Sequence, residues 1–207
     1  MHDYFFLLPI LLFLLLGVMS PGPSFIFVAK TAMAQSRQHA IAAAIGLSTG
    51  AALFAIIAAL GLFVILNHIP WLFIGIKMLG GGYLCYLAYK MWQSRHEPMS
   101  HSNTTSSSTS LLKMFFLGLL TQLSNPKTAI IFASAFAAFL PNTLPDYSYS
   151  LITLSAFIID CTWYILVAAL LSTPSAQHTF QTFKHQICQA AGAMMGFMGI
   201  KLLTSHS

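Results

Sequence analysis

The chain alternates long apolar runs with short polar ones, and the apolar runs keep no period of two. Transmembrane strands would alternate outward apolar and inward polar side chains; here stretches of 20 residues or more are apolar on every side, so a β-barrel is excluded and helices are expected. Apolar runs cover residues 4–30, 40–66, 71–92, 112–140, 147–172 and 187–204. A membrane helix takes about 20 residues, so the pattern predicts an all-α polytopic membrane protein of six transmembrane helices. The whole length, 1–207, is expected to form one membrane domain. Between the third and fourth runs lies the only real linker, about 93–111, rich in Ser and Thr and too polar to bury a core.

Two of the six runs are interrupted. The first contains Ser20-Pro21-Gly22-Pro23-Ser24, where two prolines remove backbone donors and the glycine adds freedom, so the helix should unwind locally. Ser24 is placed to cap the half-helix that follows. The fourth contains Asn125-Pro126-Lys127 at its centre, where the proline expels the carbonyl four residues earlier, that of Gln122. Unwound backbone at membrane depth is tolerated only beside protein or a wet cavity. A charge there costs roughly 2.5 to 3.5 kcal/mol, and either membrane edge lies about 15 Å away along the helix, so Lys127 is expected to face a partner or a cavity rather than to snorkel. Asp160, in the middle of the fifth run, is a second charge at depth.

The two interruptions suggest an internal repeat, with repeat one at about 4–92 and repeat two at about 112–204. Each opens with a broken helix, continues with a long span and closes with a glycine-rich one; a slide of 105 residues lays Pro21 on Pro126 and Phe27 on Phe132. Three spans is odd, so the second copy would be inverted, and paired broken helices in inverted halves point to a secondary transporter's binding site. Gly46, Gly50, Gly61, Gly80 to Gly82, Gly192, Gly196 and Gly199 are read as packing positions that let helices approach. Such faces serve equally within a subunit or between copies, which leaves a homo-oligomer open.

Composition narrows the class. The chain is 57% hydrophobic and 6% charged, against roughly 25% charged in a soluble domain. Nine basic residues and a net charge of +5 are too dispersed for a nucleic-acid stripe. They instead gather in the odd loops, with Lys77 and Lys201 as mild exceptions, and the positive-inside tendency then puts both termini outside the cytoplasmic membrane. The amino terminus lacks the basic region of a cleaved signal peptide and should stay in the membrane. Cys85, Cys161 and Cys188 have no pairing pattern, the histidines stand in loops and ends, and no Walker loop or triad is visible. No enzyme, metal centre or cofactor is expected.

A site can be assembled from what remains. A half-helix starting after each break offers partial positive charge to an anion, so Pro21, Gly22, Pro23, Ser24, Gln122, Asn125, Pro126, Lys127 and Thr128 are candidates to bind a carboxylate-bearing solute. Asp160 would receive the solute's ammonium or carry a coupling proton. Alternatively Lys127 and Asp160 simply pair and close the empty carrier.

Ser20-Pro21-Gly22-Pro23, the third-span run Leu-Gly-Gly-Gly-Tyr-Leu-Cys-Tyr-Leu-Ala-Tyr and the stretch Phe-Phe-Leu-Gly-Leu-Leu-Thr-Gln-Leu-Ser-Asn-Pro-Lys-Thr together resemble the LysE/RhtB family of bacterial amino-acid exporters. The resemblance covers nearly the whole chain. It implies efflux of amino acids or derivatives across the cytoplasmic membrane, driven by the proton motive force. Asp160 is the single acid at depth, which leans toward neutral substrates such as threonine, homoserine or leucine rather than cationic ones. Two other readings are a carrier of another small solute or cation on the same architecture, and a membrane scaffold without transport.

Overall fold

The computed structural model describes residues 6–68, 70–93, 110–141 and 147–204. Among them every regular element is an α-helix: α1 Leu7–Met19, α2 Pro23–Ala34, α3 Arg37–His68, α4 Pro70–Gln93, α5 Leu111–Leu123, α6 Pro126–Phe139, α7 Ser148–Leu171 and α8 Pro174–Thr204. Two stretches, 37–61 and 148–171, are long and apolar enough to cross a membrane alone, and α1 with α2, bent by 51°, forms a third. α5 and α6, of 13 and 14 residues, are each shorter than a span. Nearly all of the 93–111 linker lies outside the described residues, as do residues 142–146.

Both expected breaks are present, and proline sets where helix resumes. Pro23 and Pro126 occupy the first turn of α2 and α6, the position where a missing N–H costs nothing and the fixed φ is already helical. Pro21 stays in the unwound segment before α2. The sixth run also differs from expectation. α8 starts at Pro174, so His178, Lys184 and His185 lie on a helix of 31 residues rather than in a loop. After Pro174 no glycine or proline interrupts the chain before Gly192, so nothing stops the helix.

The two broken helices pair antiparallel, and so do α4 and α8. Phe13 of α1 meets Phe139 of α6 edge-on at 6.0 Å, and Gly17 packs toward Ile131, so the first broken helix runs against the second. α4 and α8 cross at small residues: a side chain on Gly81 would meet the Gly199 carbonyl at 3.0 Å, and Gly196 faces Ala88. α3 and α5 approach just as closely, because Gly46 lies on the Phe115 carbonyl and Gly118 on the Ala43 carbonyl. The packing reading of these glycines holds, whereas Gly61 and Gly82 face open space.

Two apolar cores result. One gathers Ile10 and Phe13 of α1, Ala51 and Ala55 of α3, Phe132 and Phe136 of α6, Ile152 and Ala156 of α7, and Met195 of α8. The other gathers Val18, Phe25 and Val28 with Ala44 and Leu47 of α3 and Tyr164, Val167 and Leu171 of α7. Along α7, Asp160 falls between Ala156 of the first core and Tyr164 of the second, and along α3 Ser48 falls between Leu47 and Ala51. A polar layer therefore separates two dry cores. The outer surface is apolar, with Leu8, Ile57, Leu120, Leu154, Phe197 and Ile200 exposed. That exterior suits lipid rather than water, and the chain is an integral membrane protein.

Candidate functional site

The polar layer is built by the two breaks. α5 ends at Leu123, and the carbonyl of Gln122 that proline displaces is recaptured by the Asn125 N–H at 3.0 Å. Asn125 then caps α6, its Oδ1 accepting from the Lys127 N–H at 3.0 Å. The first break has only half of this: the Ser20 hydroxyl donates to the Gly17 carbonyl at 2.8 Å, but α2 has no side-chain cap. Gly22 is the N-cap of α2 and offers no side chain, so the first-turn N–H groups have no capping partner of their own. Ser24 does not cap: it sits inside the first turn of α2, and its hydroxyl points across to the other broken helix.

A directed chain of hydrogen bonds links the two breaks to α7. The Asn125 amide donates to Ser24 Oγ at 2.9 Å, the Ser24 hydroxyl donates to Gln122 Oε1 at 2.5 Å, and Gln122 Nε2 donates to Asp160 Oδ2 at 2.7 Å. Thr128 Oγ1 lies 3.4 Å from the same Gln122 oxygen. Lys127 crosses to the other break, where Nζ donates to the Ser20 carbonyl at 2.5 Å. Its stem runs over Gly22, so that a Cβ there would stand 3.0 Å from Lys127 Cδ and 3.1 Å from Nζ. Gly22 has φ −157, an extended value open to any residue, so it is the passage of the lysine that calls for glycine.

Ser20, Ser24, Gln122, Asn125, Lys127 and Asp160 are all buried, none more than 7% exposed. Lys127 and Asp160 therefore share one enclosed site, yet no ion pair joins them among the described residues; each is held by a neutral partner. The simple charge pair considered from the sequence is replaced by Gln122 on one side and a free carbonyl on the other. A lysine ammonium can donate three hydrogen bonds, and its burial with one leaves capacity for an anion.

These residues border a cavity of about 20 Å3, lined by Gly22, Ser24, Gln122, Asn125, Lys127, Thr128 and Asp160 on its polar side. That is room for about one water, not for an amino acid. Leu14, Val18, Ile131, Phe132 and Tyr164 supply its apolar wall. Pro21, Pro23 and Pro126 shape the breaks without lining the cavity. Two contributors escaped the sequence reading. Ser20 is engaged through its backbone carbonyl, which no side-chain pattern reveals. Tyr164 lies one helical turn after Asp160, and that spacing on one face was available as a signal. Among the described residues no three His, Cys, Asp or Glu side chains gather to hold a metal.

A helical membrane protein in which two broken helices meet at a cavity lined by a buried lysine and a buried aspartate has the build of a small-solute transporter. The chain belongs to the LysE type translocator family, whose model matches residues 15–206. It is 34% identical over 202 residues to a threonine efflux protein of Salmonella typhi, covering 93% of this chain and 94% of that protein. To the threonine efflux protein of Escherichia coli (strain K12) it is 32% identical over 194 residues, with 93% and 94% covered. A leucine efflux protein of Salmonella choleraesuis is 25% identical over 181 residues, with 87% and 84% covered. No solved structure matches the chain.

Proposed function

We propose that this protein is a secondary active exporter of a neutral amino acid, threonine or a near relative such as homoserine or leucine, exchanged against protons across the bacterial cytoplasmic membrane. The observation that supports it most directly is the placing of Lys127 and Asp160, a basic and an acidic side chain without an ion pair between them, around one small cavity. A zwitterion answers both. Its carboxylate would take the uncapped N-terminus of α2, the Ser24 hydroxyl and Lys127, and its ammonium would take Asp160. Asp160 would exchange that ammonium for a proton as the carrier turns over. The relatives named for threonine efflux favour that amino acid.

The architecture proposed is six spans in two inverted halves, α1 to α4 and α5 to α8, with both termini outside. The antiparallel meeting of the broken helices and of α4 with α8 is what an inverted pair requires. A cavity with room for about one water must widen to admit the substrate.

The test is efflux of a panel of labelled amino acids from cells expressing wild type or Asp160→Asn at matched membrane levels, with and without a proton gradient. Substrate-selective efflux that needs the gradient and disappears in Asp160→Asn is expected. Efflux of none of them by inserted protein would turn the reading to another solute or to a scaffold.

A further inference from the structure

Gln122 hydrogen-bonds to both ends of the proposed substrate site. Its amide oxygen accepts from Ser24 at 2.5 Å and its amide nitrogen donates to Asp160 at 2.7 Å. An acceptor on the Ser24 side and a donor on the Asp160 side repeat, in neutral form, the carboxylate and ammonium of an α-amino acid. The amide holds its two polar atoms on one carbon, and an α-amino acid separates them by one more bond. The side chain is wedged from behind: a Cβ on Gly50 of α3 would come within 2.7 Å of Gln122 Cβ and 3.0 Å of Cγ. Its stem is pinned, so only the amide end is free to turn away.

We propose that Gln122 is a specificity-determining plug, an internal mimic of the substrate's two polar ends that only a solute bearing both an ammonium and a carboxylate displaces. The proposal rests on the exporter reading above and assigns that site its selectivity. An amine alone can take Asp160, but it strands the buried Gln122 nitrogen without an acceptor. A carboxylate alone can take the Ser24 hydroxyl, but it leaves the Gln122 oxygen only the long 3.4 Å bond from the Thr128 hydroxyl. Each buried group so deprived costs about as much as the new bond returns. A zwitterion replaces both bonds together and releases the amide as a unit. The cavity of about 20 Å3 admits no amino acid while the amide stays in place.

Labelled threonine transport into proteoliposomes of the purified protein tests this, with propylamine and propionate as competitors. In wild type neither compound alone should compete, and the two together should inhibit well beyond the sum of their separate effects. In Gln122→Met, which fills the space without hydrogen bonding, and in Gln122→Asn, too short to span Ser24 and Asp160, half-saturating threonine should fall. Each single-ended competitor should gain about tenfold against threonine, the worth of one buried hydrogen bond. Merely additive inhibition in wild type overturns the plug, and that arm needs no variant. Weakened threonine with unchanged selectivity in the variants overturns it too, making Gln122 an ordinary substrate ligand. Absence of any amino-acid transport by wild type would sink the exporter reading itself.

Discussion

The two breaks begin from similar sequences, small polar residues and a proline at the start of a half-helix, and they finish in opposite states. The second is self-sufficient: Asn125 caps α6, the Gln122 carbonyl is recaptured, and α5 is clamped against α3 through Gly46 and Gly118. The first is open, because Gly22 gives α2 no side-chain cap and α1 meets α6 through the side chain of Ile131 rather than through backbone. The open break is also where Lys127, rooted in the closed one, delivers its ammonium. A cation beside the positive end of a helix is unfavourable by itself. In the proposed exporter a bound anion would reconcile these two neighbours, the second break supplying the lysine and the first break receiving the substrate.

Lys127→Met breaks this asymmetry most severely. The methionine keeps much of the stem but delivers no charge to the first break. Losing a hydrogen bond to a charged group costs up to about 3 kcal/mol, so efflux should fall roughly a hundredfold. Stability should move the other way or hold, since a buried lysine without a counter-ion is expensive to keep. Efflux per inserted molecule, measured beside melting in detergent, checks both. Lost stability with retained efflux would make the lysine a structural post and remove the contrast between the breaks.

How much of this the sequence disclosed follows from how local each cause is. Proline and glycine act through their own backbone, so both breaks were legible, and the cost of burying charge singled out Lys127 and Asp160. What was not legible depended on partners far along the chain. Ser24 has the composition of a cap, but with Pro23 at the helix start it falls inside the first turn and bonds to Gln122, 98 residues away. Lys127 and Asp160 look like a natural pair, but the Ser20 carbonyl, 107 residues before the lysine, takes the ammonium. The start of α8 at Pro174 was obscured by the polar residues that follow it, which read as a loop though nothing in them stops a helix.

Gly22→Ala tests the same contrast more gently. A methyl 3.0 Å from Lys127 Cδ and 3.1 Å from Nζ would press the lysine off the open break while leaving its charge and the closed break intact. Efflux should fall about tenfold, the equivalent of roughly 1.4 kcal/mol, with little change in membrane level. Gly82→Ala, whose added carbon would meet nothing within 4 Å, should leave efflux as it is. Equal effects at both positions would mean that Gly22 matters only as a glycine in a helical protein.

Asn125→Ala has the smallest expected effect on stability and separates the two duties of the closed break. Removing an N-cap costs about 1 kcal/mol, so detergent melting should drop modestly. Efflux should fall as well, because Ser24 loses the amide that donates to it at 2.9 Å and with it the direction of its bond to Gln122. Asn125→Asp divides these outcomes. Its carboxylate can still accept from the Lys127 N–H and keep the cap, but it has no amide to donate to Ser24. Melting should therefore recover while efflux does not. If Asn125→Ala melts like wild type, the second break owes its closure to the α3 clamp alone, and capping is not what distinguishes it from the first.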